Sequence, residues 1–126
     1  MNIPADLKYS EDHEWVGVEG NIATIGVSDH AGEELSDVTF VELPSEGDEL
    51  TVGEAFGVIE TVKAAADLFA PISGKVVEVN TALEDDPEII KNDPYGAGWF
   101  VKVEMSDPSE LDKLMDAQAY KELIAG

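Results

Sequence analysis

The sequence predicts a mainly β fold, a small β sandwich or flattened barrel of short strands with short peripheral helices and a helical C-terminus. Short β-branched runs recur along the chain, glycine-containing turns separate them, and apolar residues take a helical spacing only after Asp107. The 126 residues are 44% hydrophobic, with no linker, low-complexity segment or clear repeat, so a single domain over residues 1–126 is expected.

Glu14–Val18 and Ile22–Val27 read as two strands joined by a hairpin turn at Gly20-Asn21. Ser28 suits an N-cap and Asp29 an early helical acid, which predicts a short helix through Leu35. Asp37–Leu43 is β-branched and apolar until Pro44 stops it. Gly47-Asp48 and Gly53-Glu54 punctuate a turn-rich passage around Leu50-Thr51-Val52. A β-rich segment through Thr61 leads to Lys63, and the next strand is expected after Pro71, at Gly74–Val79. Residues 80–98 read as loop, with a one-turn helix start at Asp86-Pro87-Glu88 and a turn at Asn92–Gly96. Trp99–Val103 looks like the last strand. Asp107-Pro108-Ser109-Glu110 then combines a cap, a proline at the first helical position and a box-like acid. Leu111, Leu114 and Met115 predict a helix packed on the sheets, and Tyr120, Leu123 and Ile124 a second one after Asp116.

Charge narrows the function. Seven lysines and no arginine stand against 28 carboxylates, a formal net charge of −21. Phosphate backbones and anionic membranes would be repelled, so neither nucleic acid nor membrane is expected as a partner. Basic enzyme surfaces could attract such a chain, although high charge also serves solubility alone. The start of the chain lacks a basic segment followed by an apolar core, and no apolar run approaches the roughly 20 residues of a membrane-spanning helix. A cytoplasmic protein is expected.

Catalytic machinery is hard to find. With no cysteine, thiol catalysis and thiolate metal sites are excluded. His13 and His30 lack a metal-binding spacing, and no nucleophile elbow, dinucleotide fingerprint or phosphate loop is present. Glu84-Asp85-Asp86 does not match a calcium loop. No catalytic or metal-binding residue is therefore assigned. His13, Trp15 and Trp99 are read as core packing.

Lys63 is the exception. It lies between the small apolar residues Val62 and Ala64, in the motif Glu60-Thr61-Val62-Lys63-Ala64. As an imine-forming nucleophile it would need an apolar pocket or neighbouring cations, whereas Glu60 and Asp67 favour the ammonium. As an acyl acceptor it needs only exposure and a recognisable turn. An ordinary surface lysine at a hairpin is the third possibility.

The motifs around it resemble a known family. Lys8-Tyr9, His13-Glu14-Trp15-Val16, Ala23–Ala31, Asp37-Val38, Phe40–Pro44, Phe56–Ala64, Ala70–Gly74, Val77–Asn80, Asp93–Gly96 and Gly98-Trp99 occur in the order found in H proteins of the glycine cleavage system. The likeness runs from about Leu7 to Leu123. It implies a lipoyl/biotinyl-like fold with lipoate attached covalently to Lys63. Biotinyl domains usually carry methionines beside the lysine, and Val62 and Ala64 depart from that.

The resemblance further implies a non-catalytic carrier. It would take the aminomethyl group of glycine from the PLP-dependent decarboxylase (P protein) to the tetrahydrofolate-dependent aminomethyltransferase (T protein). Dihydrolipoyl dehydrogenase (L protein) would then reoxidise it, and lipoate-attaching enzymes would modify it beforehand. The family arrangement points to Asp12, Glu14, His30 and Asp67 as a cleft shielding the cationic amine, with Glu14 and Asp67 holding it. The family usually has serine where Thr61 and Ala66 stand, often serine at Asp12, and glycine at Ser36. A lipoyl carrier of another complex, a lipoyl-relay protein and a Lys63 imine enzyme remain as alternatives.

Overall fold

The computed structural model describes residues 2–125. Nine strands form two antiparallel sheets. The larger has the order β1-β2-β3-β9-β8-β5 and the smaller β4-β6-β7. Its strands are β1 (Lys8–Tyr9), β2 (Glu14–Glu19), β3 (Ile22–Val27), β5 (Glu49–Leu50), β8 (Gly74–Val79) and β9 (Val101–Met105). The smaller sheet contains β4 (Val38–Glu42), β6 (Ala55–Thr61) and β7 (Ala65–Phe69). Helices α1 (Asp29–Glu34), α2 (Ala82–Asp85), α3 (Ile89–Asn92) and α4 (Ala117–Ala125) lie around them, with a 3₁₀ helix at Pro108–Lys113.

Alternation along the strands separates two cores. Val16, Ile25, Val27, Val41, Ile59, Leu68, Val76, Val101 and Val103 belong to the main cluster between the sheets. Trp15, one residue from Val16, points the other way. It joins Tyr9, Ile3, Ala117 and Tyr120 in a second cluster beneath α4. Trp15 pairs with Gly26, and its indole donates to the Pro94 carbonyl at 2.9 Å. A Cβ on Gly26 would fall 2.6 Å from the indole nitrogen. Gly26→Ala should therefore displace the ring and lose that bond, destabilising by about 1–3 kcal/mol as overpacking typically does. A thermal melt showing no loss would remove this account.

The predicted turns do their work locally. Gly20 takes φ +65 between β2 and β3, a conformation open to glycine. The Ser28 side chain accepts from the Ala31 N–H and starts α1 as expected.

Four expectations are corrected. The chain re-enters a strand at Ala65, well before Pro71, because β7 pairs with β6 along its whole length. Part of the expected 80–98 loop is helical in α2. The last strand runs two residues later than Trp99–Val103, although the Phe100 N–H already pairs with Ile25. The helix expected through Met115 stops at Lys113, and Met115 pairs with Tyr9 through reciprocal backbone bonds of 2.8 Å. Asp116 then accepts from the Ala119 N–H at 2.8 Å and helps begin α4.

The small sheet has two outer strands, and each gives a backbone N–H to a distant glutamate. Phe69 of β7 donates to Glu14 Oε2 at 3.0 Å, and Val38 of β4 donates to Glu88 Oε2 at 2.9 Å.

Candidate functional site

Lys63 sits exposed at the tip of the β6–β7 hairpin. The turn is built around Thr61. Its hydroxyl accepts from the backbone N–H groups of Lys63 and Ala64, at 3.2 and 3.1 Å, and donates to the Ala64 carbonyl at 3.2 Å. The Thr61 N–H also reaches the Ala64 carbonyl, at 2.8 Å. Side-chain hydroxyls stabilise turns in this way because they replace backbone partners the turn cannot supply. Val62 and Ala64 are exposed beside the lysine, and Glu60 is exposed at the end of β6. Among the described residues, no carboxylate forms a salt bridge with the Lys63 ammonium. The amine is thus free to react and solvated, a poor setting for imine chemistry, which needs a desolvated lysine.

Thr61→Ala removes the hub of this turn and should loosen it, raising backbone amide exchange at Lys63 and Ala64 several-fold, while Thr61→Ser should retain most of the protection. Hydrogen-exchange rates at these two amides would show it. Equal rates for the alanine variant and the wild type would mean the hydroxyl is dispensable.

A depression of about 320 Å³ opens beside the lysine, lined by Glu34, Leu35, Ser36, Ile59, Thr61, Lys63, Ala64 and Ala66. Ser36 and Ala66 both line this space. Glu34 leads from it to the histidines. Its Oε1 lies 3.4 Å from His30 Nε2, and the His30 ring centroid is 5.0 Å from that of His13.

His13 is half-buried, with φ 66, and hydrogen-bonds to the Tyr120 hydroxyl at 2.9 Å through Nδ1. The Tyr120 hydroxyl also meets the Ser28 hydroxyl at 2.7 Å. Burial, then the neighbouring His30, keeps His13 below the usual histidine range. His13 therefore belongs to a polar network under α4, and the expectation of core packing holds for Trp15 and Trp99 but not for it.

Glu14 lies at the end of the main core. It is 2% exposed, because alternation along β2 turns it to the same face as Val16. The turn before it is organised by the Ser10 hydroxyl, which accepts from the N–H groups of Asp12 and Glu14 at 3.2 Å each. Its carboxyl reaches the Phe69 N–H with one oxygen and the Ser10 hydroxyl with the other, at 3.0 and 3.3 Å. Burial first, and the Asp12 charge second, push this carboxyl up to about 8, against the opposing effect of the two hydrogen bonds. Glu14 is therefore not a solvated surface acid.

Asp12 is exposed next to this turn, and Asp67 is exposed on β7, two residues before Phe69 on the same side of the strand. The structure thus gathers Asp12, His13, Glu14, His30 and Glu34 along one flank of the hairpin. It attaches Glu14 to the strand that bears Asp67, but Asp67 makes no side-chain hydrogen bond among the described residues. Sequence reasoning missed Ser10, Glu34 and Tyr120. The Ser-x-Asp spacing could have revealed Ser10, but Tyr120 lies 107 residues from His13 and left no local signal. No cluster of three or more potential metal ligands occurs among the described residues, and no helix there is long and apolar enough to cross a membrane.

Two antiparallel sheets presenting an exposed lysine at a tight hairpin define a lipoyl-domain-like carrier fold. The chain belongs to the glycine cleavage H-protein family, whose model matches residues 7–126. It is 60% identical to the glycine cleavage system H protein of Symbiobacterium thermophilum over 119 residues, covering 94% of this chain and 93% of that protein. It is 52% identical to that of Carboxydothermus hydrogenoformans over 122 residues, covering 97% and 94%. The crystal structure of a glycine cleavage system H protein from Mycobacterium marinum superimposes with a TM-score of 0.90 at 40% identity, covering 98% of this chain and all of that one.

Proposed function

We propose that Lys63 carries lipoate in amide linkage, and that the chain serves the P, T and L proteins as a shared substrate without catalysing a step itself. One observation carries this reading: the exposed Lys63, in no ion pair among the described residues, is held at the tip of a hydroxyl-braced turn. The residues fit the group, since an amide needs an accessible amine and no partner that would be left unpaired once the charge is lost. When bound, the group supplies a dithiolane that accepts an aminomethyl unit and is later reoxidised.

The chain's own residues do the rest. Thr61 fixes where the lysine emerges. The depression against Leu35 and Ile59 offers apolar cover from water, and Glu34 and His30 continue that path toward Glu14. An amine-bearing cargo reaching this flank would meet the exposed carboxylates of Asp12 and Asp67, with the buried Glu14 carboxyl behind them. The buried Glu14 carboxyl holds its proton near neutrality, so a cation drawn against it would favour ionisation and release that proton. Asp67, exposed and without a hydrogen-bond partner among the described residues, is the more accessible of the pair. An apolar wall with acids behind it would shield the amine from hydrolysis.

The intact mass of protein from its native host, with peptide mapping, tests the reading. A single lipoyl adduct on Lys63 is expected. An unmodified Lys63 in cells that lipoylate other proteins would overturn it.

A further inference from the structure

Glu88 lies 25 residues from Lys63 in the chain, yet one peptide group connects them. The peptide between Asp37 and Val38 gives its N–H to Glu88 Oε2 at 2.9 Å, and its carbonyl accepts from the Val62 N–H at 3.1 Å. Val62 is the residue before the lysine. We propose that Glu88 is a positioning residue for the Lys63 hairpin, acting through this peptide. The inference rests on Lys63 being the acylated residue.

The physical basis is direct. A carboxylate makes a stronger hydrogen bond than a neutral acceptor, and it polarises the peptide it holds, making the carbonyl on the far side a better acceptor. Glu88 is half-buried at the start of α3 and forms no salt bridge among the described residues. The hydrogen bond to Val38 is therefore what engages its charge.

The location gives that bond a further effect. Leu35 and Ser36, just before the clamped peptide, form one wall of the depression beside Lys63, and Thr61, Lys63 and Ala64 form the other. Glu88 thus ties both walls to the same point. A second staple lies next to it, where the Thr39 hydroxyl donates to the Glu60 carbonyl at 3.2 Å. With the turn before Lys63 fixed, the depression between Lys63 and Glu34 keeps its shape. Without the clamp, β4 would release its first residue and the turn would pivot about Thr61.

The test uses full-length protein with Glu88→Ala, Glu88→Gln and, as a charge control, Glu84→Ala, an exposed acid on α2. In unmodified protein, Val62 amide exchange should rise about tenfold in Glu88→Ala, in proportion to the loss of roughly one hydrogen bond. The Phe100 amide, which pairs with Ile25 in the main core, should not change. Lys63 acylation by a lipoate-attaching enzyme, with free lipoate and ATP, should lose several-fold in kcat at nearly constant KM. Glu88→Gln, which keeps a carbonyl acceptor, should restore most of both, and Glu84→Ala should match the wild type. Unchanged Val62 exchange in Glu88→Ala, or equal acceleration at Val62 and Phe100, would overturn the positioning role. If wild-type protein takes no acyl group on Lys63 the carrier reading fails, and this inference goes with it whatever Val62 shows.

Discussion

A Lys63→Arg protein is expected to fold as the wild type does and to be inert as a carrier. Arginine keeps the charge, and an exposed side chain with no ion-pair partner contributes little to stability, typically within about 0.5 kcal/mol. The guanidinium does not accept the acyl group under conditions that modify a lysine amine. In a system reconstituted with the P, T and L proteins, glycine-dependent NAD reduction should fall to background, with the melting curve unmoved. Persistent lipoylation on another of the seven lysines, with turnover, would remove Lys63 from its assigned role.

Stability of the unmodified protein should fall as pH rises through the range set by Glu14. Its carboxyl moves from 4.5 in the unfolded chain to about 8 in the fold. Between those values the folded chain holds a proton that the unfolded chain has lost, so raising the pH favours unfolding. The contribution is full below 4.5 and gone above about 8. At 1.36 kcal/mol per pH step, the ceiling is on the order of 5 kcal/mol. His13 runs the other way: its lowered value means stability is lost as pH falls below 6.5. The Glu14 effect is thus best read between 6.5 and about 8. Glu14→Gln, whose amide can still accept from Phe69 and meet Ser10, should flatten that slope and be more stable than wild type at pH 8.5. Denaturant titrations across the range decide the matter, and parallel curves for the two proteins would mean that Glu14 ionises freely in the fold.

Strands with their own signal were legible in the sequence. The β2–β3 hairpin falls within a residue of its predicted limits because β-branched runs flank a turn that needs glycine. Strand β8 begins and ends where expected for similar reasons. Strand β7 was not legible, since Ala65-Ala66-Asp67 has no β preference and becomes extended only by pairing with β6. The segment at Leu114-Met115 carries helical spacing, but pairing with Tyr9 wins. The candidate site divides in the same way. Lys63 and its motif were visible because they are contiguous in the chain. The burial of Glu14, the path through Glu34 and His30, and the Tyr120 bonds depend on segments far apart in the chain.

The two glutamates on the flanks of the small sheet have a consequence for how copies of this protein meet. An outermost strand normally offers its free backbone groups as a template on which a neighbouring molecule can add a strand and so begin an aggregate. Here Glu14 and Glu88 each occupy one such group from within the same chain. An intruding strand would have to evict a carboxyl, and one of the two is nearly inaccessible. Together with mutual repulsion from the −21 net charge, these contacts disfavour strand addition at both outer strands, while the hairpin tip at Lys63 stays exposed.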